Sequence, residues 1–233
     1  MIYSANFKMN HTRASTAEYI SELNRLIDSS DVIESEDRIF VFPPTTALLK
    51  SSKRVEVGVQ NAYPSAKGAF TGEVGLLHLE EFGIKTVMIG HSERREILKE
   101  SQDFIAEKFQ FFKKHNFEII YCIGEPLKVR KEGTNSVFKY LWSEFEGIDT
   151  EYERLIVAYE PIWAIGSGIS ATPSDIEEIH SGLRERVEAP LLYGGSVNSY
   201  NISQIKSISN VDGVLVGSAS LKVESFFELI NNG

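Results

Sequence analysis

Short apolar runs rich in β-branched residues recur along the chain, and longer stretches at helical spacing fill most of the gaps between them. The runs predict strands at Ile2–Phe7, Arg38–Phe42, Val55–Asn61, Lys85–Gly90, Glu118–Ile123, Leu155–Glu160, Leu191–Gly194 and Gly213–Gly217. One predicted helix covers Thr16–Asp28, with Tyr19, Ile20, Leu23, Leu26 and Ile27 on one face. A second covers Gln102–His115, where Phe104, Ile105, Phe109 and Phe112 share a stripe. A third opens at Thr172-Pro173-Ser174-Asp175, with Thr172 as N-cap and proline in the first turn.

Strands alternating with helices imply a parallel sheet, because parallel neighbours need a crossover. Segments such as Val87-Met88-Ile89 and Val214-Leu215-Val216 are apolar on both faces, as strands covered by helices are. Pattern alone leaves two architectures open, an open doubly wound sheet and a closed (β/α)8 barrel. Neither a Gly-Ser or Pro-rich linker nor a low-complexity tract divides the chain, so one domain over residues 1–233 is expected.

Composition narrows the function classes. Of 233 residues, 42% are hydrophobic and 24% charged, which suits a buried core. The net charge of -9 argues against nucleic acid or an anionic membrane as the main partner. Cys122 is the sole cysteine, so no intrachain disulfide is possible and a reducing, cytoplasmic setting is expected. The opening MIYSANFKMN lacks a basic segment followed by a long apolar one, and no apolar run is long enough to span a bilayer.

In a parallel barrel the chemistry collects where strands end. Strand one runs into Asn6-Phe7-Lys8, strand four into Gly90-His91-Ser92-Glu93, and strand six into Glu160-Pro161. Strands seven and eight run into Gly194-Gly195-Ser196 and Gly217-Ser218-Ala219-Ser220. Each glycine turn leads toward a helix start, where backbone N–H groups suit an anion such as phosphate; glycines that only tighten a turn are the alternative. Pro161 biases Glu160 toward an extended backbone, placing its carboxylate at the rim. A surface carboxylate beside an ordinary loop would read the same. His91 offers an imidazole that donates to a carbonyl, or a structural histidine. Lys8 suits an anion's counter-charge, or solvent. Glu93 suits an arginine partner, or a solvated helix start. Pro161-Ile162-Trp163-Ala164-Ile165-Gly166-Ser167-Gly168 joins a stiff start to a glycine-rich end, as a hinged lid would.

Metal and nucleotide chemistry find no motif. His11, His78, His115 and His180 form neither H-x-H nor H-E-x-x-H, and the glycine turns match neither G-x-G-x-x-G nor a P-loop. No cofactor and no metal are expected.

Taken together, NFKMN, GAFTGE, GHSERR, CIGE, YEPIWAIGSG, YGGSV and VGSASL, in this order from residue 6 to 221, resemble the triosephosphate isomerase family. The resemblance implies a single-domain TIM barrel and a homodimer acting on a triose phosphate without a cofactor. It implies Glu160 as base, His91 as electrophile, and Lys8 and Asn6 beside them. It implies that Gly166, Ser196, Gly217 and Ser218 hold phosphate, that the lid reaches to about Thr172, and that Glu93 stands just behind the reacting groups. Thr71 resembles the tip of a loop inserted beside the neighbouring subunit's site.

Three departures stand out. Ser218 replaces a frequent glycine, so a positive φ there would be strained. Ile169 stands where lysine is frequent. The chain is short around Gly133–Asp149 and Arg184–Pro190. Rival readings are a metal-dependent sugar-phosphate epimerase or aldolase on the same barrel, and a barrel that binds a phosphometabolite without turnover.

Overall fold

Each of the eight apolar runs forms a strand, and all are parallel. The computed structural model describes residues 1–165 and 170–232. The strands are β1 (Ile2–Asn6), β2 (Arg38–Phe42), β3 (Glu56–Val57), β4 (Thr86–Ile89), β5 (Glu118–Ile123), β6 (Leu155–Tyr159), β7 (Leu191–Tyr193) and β8 (Gly213–Val216). Their order is β3-β2-β1-β8-β7-β6-β5-β4. Just past β3, Val59 N–H donates to Thr86 O (3.0 Å) and Met88 N–H donates to Val59 O (2.9 Å). That parallel bridge ties β3 to β4 and closes a (β/α)8 TIM barrel, which rules out the open sheet.

The predicted strand Val55–Asn61 is longer than the ladder found. The chain changes partner there: Gly58 N–H still donates to Val41 O (3.0 Å), and the next residue pairs with β4. Gly58 also faces the Phe42 ring, where a Cβ would lie 2.2 Å from the nearest ring carbon.

Outside the strands lie α1 (Arg13–Asp28), α2 (Leu76–Glu81), α3 (Ser92–Glu96), α4 (Gln102–Lys114), α5 (Leu127–Lys131), α6 (Thr134–Glu144), α7 (Pro173–Arg184), α8 (Ile202–Lys206) and α9 (Val223–Asn231). After β2 the chain makes only a 3-10 turn, Thr45–Ala47, because Pro43-Pro44 favours extended backbone. The first helix starts earlier than predicted because Thr12 caps it: Ser15 N–H donates to Thr12 Oγ1 (3.3 Å) and Thr12 N–H to Ser15 Oγ (2.9 Å). Thr172 caps α7 as its sequence predicts, accepting from Asp175 N–H (3.2 Å).

Strand alternation splits the core into two shells. Phe40, Phe42, Met88, Ile120, Cys122, Ile156, Ala158, Leu192 and Leu215 fill the barrel interior. Tyr3, Ile39, Val41, Val87, Ile119, Tyr121, Val157, Tyr193 and Val216 face the helices. Each fully buried aliphatic side chain contributes roughly 1.5–3 kcal/mol. The same two-residue period carries the inward parity past the strand ends. Glu160 follows Ala158 by two, Gly194 follows Leu192 and Gly217 follows Leu215, so these positions continue the inward-facing rows at one rim.

Candidate active site

At that rim a cavity of about 310 Å³ is lined by Asn6, Lys8, His91, Glu160, Ile165, Gly194, Gly195, Ser196, Gly217 and Ser218, among others. The structure thus brings together residues from both ends of the sequence that the motifs singled out separately.

At the heart of the cavity, His91 Nε2 stands 3.2 Å from Glu160 Oε1. Both side chains are nearly inaccessible, at 6% and 4% exposure. His91 caps α3, with Glu93 N–H donating to its Nδ1 (3.2 Å), so Nδ1 is the acceptor and Nε2 carries the proton. Ser92 N–H donates to Glu160 Oε2 (3.3 Å).

Burial pushes the Glu160 carboxyl up, yet His91, Ser92 N–H and Lys8 together hold it below its ordinary value. Burial pushes the His91 imidazole down, and the adjoining Glu160 carboxylate draws it up further than that. Each group thus favours the charged form of the other.

Lys8 has a left-handed backbone, φ 51°, which turns the chain sharply after β1. Its N–H donates to Asn6 Oδ1 (3.0 Å), and its carbonyl accepts from Gln60 Nε2 (2.8 Å). These bonds stabilise a conformation that costs a non-glycine residue about 1–3 kcal/mol. The Lys8 ammonium meets Glu93 Oε1 at 2.6 Å. Glu93's partner is thus Lys8 rather than the expected arginine, since the folded rim brings strand one opposite the start of α3.

Ser218 opens a 3-10 turn, Ser218–Ser220, and is absent from the positive-φ positions, so the strain expected of a serine there does not arise. Of the segment expected to form a lid, Pro161 to Ile165 make a turn through Ile162–Ala164, while Gly166, Ser167, Gly168 and Ile169 lie outside the described residues. Trp163 Nε1–H donates to Glu125 Oε1 (2.7 Å), which also accepts from Tyr159 Oη (3.2 Å). Ser196 Oγ donates to Ala164 O (2.9 Å), joining the glycine turn after β7 to the base of the lid segment.

Comparison with known proteins adds an independent line. The family model described as triosephosphate isomerase matches residues 1–233. A triosephosphate isomerase from a Sulfurovum species is 59% identical over 230 residues, covering 99% of each chain. The chain belongs to the triosephosphate isomerase family. Similar proteins of that name include one from a Nitratiruptor species, 52% identical over 99% of this chain and 97% of that one. Another, from Sulfurimonas denitrificans, is 50% identical over 97% of this chain and 93% of that one.

Seen beside the family's motifs, some residues escaped sequence reasoning. Glu125 sits within CIGE, but nothing in the sequence marks it as fully buried under Trp163. Gln60 lies past β3 with no motif around it, yet its amide bonds both Lys8 O and Phe42 O. Among the described residues, no three or more His, Cys, Asp or Glu side chains gather as a metal site.

Proposed function

We propose that the chain interconverts dihydroxyacetone phosphate and D-glyceraldehyde 3-phosphate, moving a proton between adjacent carbons through an enediolate. Family membership supports the reaction. The observation that carries the residue roles is the 3.2 Å approach of His91 Nε2 to Glu160 Oε1 inside a cavity shared with Asn6 and Lys8.

Glu160 is the base. It is ionised near neutrality, buried, and close to where substrate carbons enter, so proton abstraction needs no further charging step. The carbon acid is weak, and the oxyanion that forms must be stabilised. His91 Nε2–H donates to it, Lys8 supplies positive charge, and Asn6 holds the Lys8 backbone. When substrate draws the Glu160 carboxylate away from the imidazole, the upward pull on His91 ends. Burial and the Glu93 N–H on Nδ1 then leave the ring neutral, so it donates a hydrogen bond rather than surrendering its proton outright; the family is itself a standard illustration of this tuning.

The phosphate binds at backbone N–H groups of Ser196, Gly217 and Ser218 at the cavity rim; Gly166, the fourth expected contact, lies outside the described residues. Its binding energy draws the lid over the cavity and fixes the reacting carbons against Glu160. Closure excludes water from the intermediate. Redox chemistry has no part in this reaction.

The working form is a homodimer. Thr71 is exposed on the segment between β3 and α2, and Met9 (94%) and Leu98 (60%) are exposed beside the site. Beside the site, a cavity of about 330 Å³ lined by Lys8, Met9, Glu93 and Leu98 suits a loop tip from a second copy. Sedimentation equilibrium should give twice the 26.2 kDa chain mass. Among the described residues no helix is long and apolar enough to cross a membrane. A cytoplasmic location accords with the single, buried, free Cys122.

Turnover of D-glyceraldehyde 3-phosphate in a coupled assay tests the reaction. Activity should survive a strong chelator; loss on chelation with rescue by metal would favour the metal-dependent epimerase or aldolase reading.

A further inference from the structure

Behind the rim, a buried cation and a buried carboxylate join the two backbone segments that carry the reacting groups. Arg95, on α3, is 10% exposed, and Glu144, at the end of α6, is 6% exposed. Arg95 Nε lies 3.4 Å from Glu144 Oε1.

Arg95 Nε–H donates to Gly90 O (2.7 Å), directly before His91. The other guanidinium nitrogens reach Tyr121 Oη (2.9 Å), Gln102 Oε1 (2.8 Å) and Cys122 O (3.3 Å). Glu144 Oε2 accepts from Gly124 N–H (2.8 Å). Gly124 in turn lies hard against Glu160: a Cβ on it would come within 1.8 Å of the Glu160 carbonyl oxygen. Tyr121 Oη–H closes the network on the Glu144 carbonyl.

We propose that Arg95 and Glu144 are positioning residues: Arg95 anchors the backbone leading into His91, Glu144 anchors the Gly124 backbone that seats Glu160, and their contact fixes the His91–Glu160 spacing. The inference rests on the reaction proposed above. Neither residue lines the cavity, so they act through the backbone rather than on substrate.

The charges facing Glu144 fit this role. Burial raises its pKa most, the Arg95 guanidinium and Gly124 N–H lower it, and Glu125 and Glu160 raise it again, to about 7. Tyr121, Cys122 and, on its own helix, Tyr140 are the other titratable neighbours. A carboxyl placed at such cost, and met by a main-chain N–H at the end of β5, is better explained by holding that strand end than by the stability of α6 alone.

The test is Glu144→Ala against Glu144→Gln, which keeps an acceptor for Gly124 N–H. The readouts are kcat, KM for D-glyceraldehyde 3-phosphate, and Kd for inorganic phosphate, whose proposed binding turns follow β7 and β8 and, among the described residues, make no hydrogen bond to Arg95 or Glu144. In Glu144→Ala, kcat should fall about 10- to 100-fold, as expected for a displacement of up to about 1 Å, with KM and phosphate Kd within about twofold. Glu144→Gln should return kcat to within about threefold of wild type. Should Glu144→Ala fail to fold, Arg95→Lys carries the same test; one ammonium cannot bond Gly90 O, Cys122 O, Tyr121 and Gln102 together, so kcat should again fall at constant KM. An unchanged kcat in the variant that folds, a parallel loss of phosphate affinity, or Glu144→Gln as poor as Glu144→Ala would each overturn the brace. An inactive wild type overturns the proposed reaction and the brace with it; an active wild type with indifferent variants overturns the brace alone.

Discussion

Gly124→Ala is a small change placed at the tightest point of the site. Its Cβ would lie 1.8 Å from the Glu160 carbonyl oxygen and 2.7 Å from the carbonyl carbon. Real Cβ contacts stay above 3.0 Å, so the two segments must part by about 1.2 Å. Backbone bonds on both sides resist that parting: Glu160 N–H donates to Ile123 O (2.7 Å), and Ile162 N–H donates to Glu125 O (3.2 Å). Overpacking of this kind costs about 1–3 kcal/mol of stability. A reacting group moved by about 1 Å costs about 100-fold in rate. A thermal melt and a coupled assay for D-glyceraldehyde 3-phosphate, run on the same preparation, should show a lowered melting temperature and a kcat down by about that factor. Melting and kcat both within error of wild type would refute the idea that this contact seats the Glu160 carboxylate.

Further outcomes follow from the charges around the site. Because the Glu160 carboxyl is held below its ordinary value of 4.5, carbon-13 NMR of the labelled side chain should find it ionised as pH falls from 7 toward 4.5 and taking up a proton only beneath that; protonation near pH 6.5 would contradict the assigned environment. For Glu144 the sign is opposite: its folded value, about 7, exceeds the ordinary 4.5, so its contribution is full below 4.5 and is lost as pH rises through 7. Chemical denaturation should therefore find wild type losing stability relative to Glu144→Gln between about pH 5 and pH 8, by about 3 kcal/mol at most. Trp163→Phe removes a donor from the buried Glu125 carboxylate and should cost about 1–3 kcal/mol at pH 8, less at pH 5, where Glu125, its pKa raised by burial, takes up a proton more readily. His91→Gln should lower kcat by about 100- to 1000-fold while the far-ultraviolet circular dichroism stays unchanged.

Much of this architecture was legible in the sequence because parallel strands buried on both faces leave continuous apolar runs. Arg38–Phe42 and Glu118–Ile123 coincide with β2 and β5. Other strands were trimmed at the ends where the chain turns into the site, as at Glu160 and Gly90, because periodicity cannot tell the last paired residue from the first one past it. Closure was not legible: it needs both the bridge of Val59 to Val87 and the pairing of β1 with β8, whose partners Ile2 and Gly213 stand at opposite ends of the chain. The residues proposed to react, His91 and Glu160, were marked by motifs at strand ends, and the fold brings them within 3.2 Å of each other. Their support was not, since Arg95, Glu144 and Gln60 act through main-chain groups that only folding brings within reach. Glu93 shows the same limit, its partner Lys8 lying 85 residues away.

Exchange of Glu160 for glutamine, assayed in deuterium oxide, addresses the central claim most directly. Wild type should convert D-glyceraldehyde 3-phosphate with solvent deuterium incorporated at the carbon that receives the proton. Glu160→Gln, folded and still binding inorganic phosphate, should lose at least about 100-fold in both conversion and deuterium uptake. A Glu160→Gln protein that exchanges and isomerises at wild-type rates would contradict the account.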